Sequence, residues 1–250
     1  MSVKKYDVVF SLGAACLCSQ MLRKKDLQFS SYPLDWVANK DFAFRTDLLV
    51  SDFDFFFDKE DLYFTGDSNG MEDHPCEVCI NKRTGMGFPH DFSFGVDFET
   101  AFPEVKAKYD RRVKRLLDDI ERNKNILIVY VIPPAAPEEQ KDIPDNVLSA
   151  CHDKITARFP DKNIDILCLI CARDSREQNI GAHIRKIYFD FERPNGVPPY
   201  DAKKLRTAIK EYRLRRPLSL RIRNFRYKMK KRFKRWKAKA VRYLTFRPSL

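Results

Sequence analysis

Seven cysteines and four histidines are spread over the 250 residues, and Cys16 is the thiol best placed to react. It follows an apolar run from Val8 to Leu12 and a glycine, Gly13, in the stretch VVFSLGAACLCSQM. If a helix opens at Ala14, Cys16 falls in its first turn. Unpaired N–H groups and the helix dipole there favour the thiolate, which can draw a thiol from about 8.5 toward neutrality. A cysteine nucleophile also needs a base and a group to orient that base. Of His74, His90, His152 and His183, His90 fits best, in a Gly/Pro-rich loop beside Asp91 where function concentrates. His152 lies within a helical pattern and His183 opens a strand. A Cys16–His90 pair would carry acyl chemistry through a thioester: hydrolysis if water attacks it, transfer if another nucleophile does. Cys18 points elsewhere and reads as core.

Two other cysteine groups suggest metal at first sight. His74, Cys76 and Cys79 have half of a zinc spacing, and Cys168 and Cys171 form a second C-x-x-C. A half-site without a partner is a weak signal. Cysteines three apart in a strand point to opposite faces, so Cys168 and Cys171 read as core. No metal and no cofactor is expected.

Strands and helices alternate around these residues. Val8–Leu12 and the runs NILIVYVI, IDILCLICA and IRKIYFDF read as buried strands, being continuous and apolar with no polar face. Helices are expected over Ala14–Lys25, Phe102–Asn123, Asn146–Arg158 and Asp201–Arg213. The Phe-rich, acidic span from 41 to 75 reads as irregular with a short helix. CEVCINKRTGMGFPHDF reads as a strand, a turn at Thr84-Gly85 and a loop ending on His90-Asp91. The expected fold is α/β, layered, with a largely parallel sheet flanked by helices. The length suffices for a sizeable core.

The net charge of +12 is unevenly divided. Residues 203–250 carry +19, and residues 1–202 carry −7. The expected domains are 1–216, an α/β body, and 217–250, a basic amphipathic tail. In the tail, Leu218, Ile222, Phe225, Met229, Phe233, Trp236, Ala240 and Tyr243 make one helical stripe among Lys and Arg. Phe225, Met229, Phe233 and Trp236 would sink into an acyl boundary while Lys230, Lys231 and Arg232 meet anionic headgroups. An anionic membrane surface is therefore the favoured partner, ahead of nucleic acid. Lys4-Lys5, the apolar run and Cys16 imitate a lipoprotein export signal, but Asp7 interrupts it and Gly13 stands where a bulky aliphatic belongs. An odd number of cysteines, several in apolar runs, suits a reducing compartment. The expected location is cytoplasmic, peripheral on the inner membrane face.

Several motifs in order resemble a bacterial family of papain-like cysteine peptidases, a domain of unknown function. They are FSLGAACLCSQMLRKKDLQFSSYPLDWV, then HDF at His90–Phe92, then KYDRRVKRLLDDIERNKNILIVYV. The resemblance covers about the first 135 residues well and the remainder loosely. It marks Ser11, Gly13, Cys16, Asp35, Trp36, His90 and Asp91. It implies Cys16 as nucleophile, His90 as base, and Asp35 or Asp91 as the acid that orients it, with Ser11, Gly13 and Trp36 on the substrate side. Leu34 departs from the family's usual Phe, which is a change of packing.

Three functions follow as expectations. The first is a thiol-dependent hydrolase or acyl transferase acting on a peptide or acyl substrate. The second is a membrane-surface transferase of surface-glycan assembly, in which Gly13, Cys16 and Asp35 form an anion-binding turn at a helix N-terminus and Cys16 is structural. The third is a non-catalytic adaptor docked to membrane or nucleic acid by its tail.

Overall fold

A computed structural model of the chain describes residues 3–13, 16–71, 74–194, 200–215 and 229. The chain divides into a unit of Met1–Leu214 and a unit of Arg215–Leu250. The tail residues Phe225, Lys230, Lys231, Arg232, Phe233 and Trp236 lie outside the described residues. Met229 is described and exposed.

In chain order the elements are β1 (Lys4–Tyr6), β2 (Val8–Ser11), α1 (Cys16–Lys24), α2 (Phe42–Val50), β3 (Leu62–Ser68), β4 (Cys76–Asn81), β5 (Gly87–Ser93), α3 (Phe98–Arg122), β6 (Asn125–Ile132), α4 (Asp145–Arg158), β7 (Asn163–Cys171), β8 (Arg176–Ile180), β9 (Ile184–Phe189), α5 (Ala202–Ala208) and β10 (Tyr212–Leu214). Five strands form the central sheet in the order β2-β6-β7-β9-β8. All neighbours are parallel except the hairpin of β8 with β9.

The apolar runs become strands because this sheet is covered on both faces, so neither side of a strand needs polar residues. Ile126, Ile128, Tyr130 and Ile132 of β6 enter one core, with residues of α2, α3 and α4. Leu127, Val129 and Val131 enter the other, with Leu17, Cys18, Met21 and Leu22 of α1 and Leu205 of α5. Helices thus pack on both faces of the central sheet, joined on one face by residues of β4 and β5. Cys168 and Cys171 do face opposite cores.

Three local expectations need correcting. The span 41–75 holds the expected short helix, α2, but its later part also forms a strand, β3. His90 and Asp91 lie on β5, not in a loop. β5 is the edge of a separate antiparallel sheet, β3-β4-β5, and an edge strand tolerates Pro89. Helix α5 stops at Ala208 rather than reaching Arg213, and β10 pairs parallel with β1. Tyr212 is buried there and stacks on Tyr6 with ring centroids 6.1 Å apart, which favours the extended chain.

Candidate functional site

The carboxyl ends of β2 and β6 define the site. The chain leaves β2 for α1 on one face, and leaves β6 for α4 on the other. Where successive connections diverge in this way, an open parallel sheet has a crevice at its carboxyl edge. Gly13 and Cys16 follow the carboxyl end of β2, with residues 14 and 15 between them outside the described set.

The turn is tightly built. Ser11 is buried and its hydroxyl accepts from Gly13 N at 2.9 Å. The Gly13 carbonyl accepts from Arg45 Nη1 at 2.6 Å. Arg45 is fully buried on α2 and gives its other donors to the carbonyls of Lys40 (3.1 Å), Asn39 (2.6 Å) and Val37 (3.4 Å). Burial lowers its pKa to about 10, so it stays charged at neutral pH. Cys18 is core, as its spacing suggests: Sγ donates to Val129 O at 3.4 Å, and burial pushes the thiol up to about 12.

Cys16 opens α1 and is half-buried. Ser19, one turn on, donates to Cys16 O at 3.2 Å and to Asp35 O at 3.0 Å. That hydroxyl links the head of α1 to the segment carrying Asp35 and Trp36. Asp35 is fully buried, and its Oδ2 accepts from Gln28 Nε2 (2.7 Å), Tyr32 N (2.9 Å) and Arg23 Nη2 (3.0 Å). Burial still outweighs these bonds and raises the carboxyl above its usual range. The Arg23 guanidinium then lies 5.8 Å from the Trp36 ring. Trp36 meets His90 edge to face, with ring centroids 6.4 Å apart at 86°.

The Asp35–Trp36 segment thus touches His90 through Trp36 and is tied to the head of α1 through Ser19. No hydrogen bond joins Cys16 to His90 among the described residues. Neither of the two expected acids is bonded to His90. Asp35 is occupied as above. Asp91 accepts from Lys108 Nζ and Tyr109 Oη, both at 2.6 Å, and so fastens β5 to α3. The polar side chain at the His90 ring is that of Asn69, whose Nδ2 lies 3.5 Å from Nδ1. Asn69 Oδ1 accepts from Met71 N and Cys76 N, which holds the amide in place.

Burial favours the uncharged form of both candidate groups. Burial pushes the Cys16 thiol up, and the pull of its own backbone N–H does not reverse this. Burial lowers His90 from its ordinary value, against the field of Asp91. Burial thus opposes the thiolate that the helix terminus favours. Alkylation of Cys16 by iodoacetamide, read by peptide mass spectrometry, should keep rising with pH beyond about 8.5. A plateau below pH 7 that His90→Ala removes would instead reveal a standing thiolate–imidazolium pair.

Arg45, Asn69, Ser19, Arg23 and Tyr200 are site residues that sequence reasoning missed. Burial raises the Tyr200 phenol, with a smaller contribution from nearby Cys16, and its hydroxyl donates to Gln20 Oε1 at 3.4 Å. No motif marks any of the five; a buried arginine in FAFRTDLLV and a serine in CLCSQM look ordinary. Cys76 and Cys79 are buried, and Cys79 is pushed up to about 12 by that burial. Among the described residues no group of His, Cys, Asp or Glu is arranged to hold a metal ion. Among them, too, no helix is long and apolar enough to cross a membrane.

Fold and site together define a mixed α/β protein with a cysteine heading the helix after an edge strand of its parallel sheet. The chain belongs to the family described as "Putative papain-like cysteine peptidase (DUF1796)", which it matches over residues 7–174. It is also similar to "Uncharacterized protein R408" of Acanthamoeba polyphaga mimivirus, at 26% identity over 180 residues, 65% of this chain and 78% of the viral protein. No solved structure matches the chain significantly.

Proposed function

We propose that the protein is a thiol-dependent acyl-transfer enzyme, with Cys16 as nucleophile and His90 as base. The observation that carries this reading is that Trp36, whose segment Ser19 ties to the head of α1, meets the His90 ring edge to face. Family membership supports it.

Attack forms the bond from Cys16 Sγ to a substrate carbonyl carbon, and the carbonyl π pair moves to oxygen. The thiol proton passes to His90 as sulfur attacks, which suits a pair whose neutral forms burial favours. The unpaired N–H groups of the first turn of α1 face developing negative charge. Collapse expels the amine or alcohol, which takes the proton back from His90 and leaves a thioester on Cys16. Water, losing a proton to His90, then releases the acid and restores the thiol; another nucleophile would yield a transfer product instead. Asp35 holds Arg23, Gln28 and the Tyr32 backbone, and so keeps Trp36 against His90.

The test is to trap the acyl-enzyme. With p-nitrophenyl acetate, intact-mass and peptide spectra should place one acetyl group on Cys16. His90→Gln should slow its formation by about 10²-fold or more, and Cys16→Ala should abolish it. Acetylation at other residues only, or a Cys16 rate indifferent to His90→Gln, would overturn the reading.

A further inference from the structure

A cleft of about 770 Å³ lies between the segment leading into α2 and the segment 133–140 that follows β6. Phe44, Pro133, Ala136 and Pro137 give it apolar walls, and Lys40 brings a positive charge to them. The placement of Lys40 is unusual in three respects. First, Asn39 and Lys40 are consecutive residues in the left-handed region, at φ 64° and 66°, a conformation that a lysine adopts only under constraint. Arg45 supplies the constraint through the Asn39 and Lys40 carbonyls. Second, the Lys40 ammonium has no carboxylate partner among the described residues and stands 5.3 Å from the Phe44 ring centroid. Its neighbour Asp41 also lines the cleft, but its carboxylate is engaged in capping α2, accepting from Phe44 N at 2.9 Å. Third, a Cβ at Gly85 would come within 3.0 Å of Lys40 Cε and Nζ. Glycine there leaves room for the lysine's end.

The same guanidinium that holds this segment also holds the Gly13 carbonyl, which joins cleft and cysteine turn through Arg45. We propose that the cleft binds an anionic group, carboxylate or phosphate, carried on an apolar body. Lys40 meets the charge, while Phe44 and the prolines cover the body. Lys40 is then a specificity-determining residue. The inference rests on the acyl-transfer reading only for calling the occupant a substrate; binding stands without it.

Binding is therefore measured in full-length Cys16→Ala, where no chemistry can intervene. Phenyl phosphate and phenylacetate are titrated by calorimetry, with the Gly85 amide followed by NMR. Saturable one-to-one binding is expected for at least one of them, and the stronger identifies phosphate or carboxylate as the preferred anion. Adding Lys40→Gln should weaken it tenfold or more, Lys40→Arg should retain it within about threefold, and inorganic phosphate should bind more weakly than phenyl phosphate. Arg176→Gln, outside this cleft, should change nothing. The basic tail attracts anions too, so equal affinity in Lys40→Gln would assign the binding there and overturn the proposal. So would the absence of saturable binding, or a Gly85 amide that does not shift. Failure of the Cys16 acetylation with binding intact would instead remove the enzyme reading alone.

Discussion

Arg45→Met lowers the stability of the α/β body by about 2–4 kcal/mol, the cost of leaving several carbonyls without their donor. Methionine fills much of the volume, so the loss comes from hydrogen bonding. Arg45 is fully buried and serves the carbonyls of Gly13, Val37, Asn39 and Lys40. Each acceptor left unpaired and out of water costs about 1–3 kcal/mol, less whatever water can recover. Removing the buried charge offsets part of that, since burial already opposes the guanidinium. Arg45→Lys recovers only part, because one ammonium cannot span the carbonyls that a planar fork reaches. Urea unfolding followed by circular dichroism measures the difference. A change below about 1 kcal/mol would mean that the carbonyls rehydrate and that Arg45 does not hold the turn.

Gly13→Ala costs about 1–3 kcal/mol, as overpacking of a dense core does, and it also slows Cys16. The cause is contact, not backbone freedom. A Cβ on residue 13 would lie 2.5 Å from Cys18 Cβ, 3.0 Å from Ser11 Oγ and 3.3 Å from Cys18 Sγ. Cys18 cannot retreat, since it is buried against β6 with Sγ on the Val129 carbonyl. The turn must move instead, loosening the bonds of Gly13 to Ser11 and Arg45 and displacing the head of α1. Acetylation of Cys16 should fall even at temperatures where the variant is folded. Cys18→Gly in the Gly13→Ala background removes the offending Cβ, and the two changes should couple favourably by roughly 0.5–3 kcal/mol. Strictly additive effects would show that the clash is not the cause.

The elements legible in the sequence are those whose environment is uniform along their length. NILIVYVI is apolar at every position because β6 is central and covered on both faces. The long amphipathic pattern ending at Asn123 becomes α3, whose buried Val105, Tyr109, Leu116 and Ile120 recur at helical spacing. The α/β class follows from such runs, and the core role of Cys18 follows from its place on α1. Edges were harder to read. FPHDF carries Pro89 and two polar residues and looks like a loop, yet β4 supplies enough partners to make it a strand. The end of α5 was also illegible, because what stops that helix is the pairing of β10 with β1, more than two hundred residues away in the chain.

The sequence by itself determined the layered α/β body, the turn of Ser11 and Gly13 before Cys16, and the shortlist of Cys16 and His90. Those depend on local composition and periodicity, which one stretch of chain contains. The tertiary structure alone decided what surrounds the pair. It bound Asp35 to Arg23 and Gln28, turned Asp91 to Lys108 and Tyr109, and placed Asn69 at His90. It also set Arg45 beneath residues 13, 37, 39 and 40. Burial then pushed the Cys16 thiol up, against a position that favours thiolate. Desolvation and hydrogen-bond partners are sums over neighbours far apart in sequence, so they come into being only when the chain closes on itself.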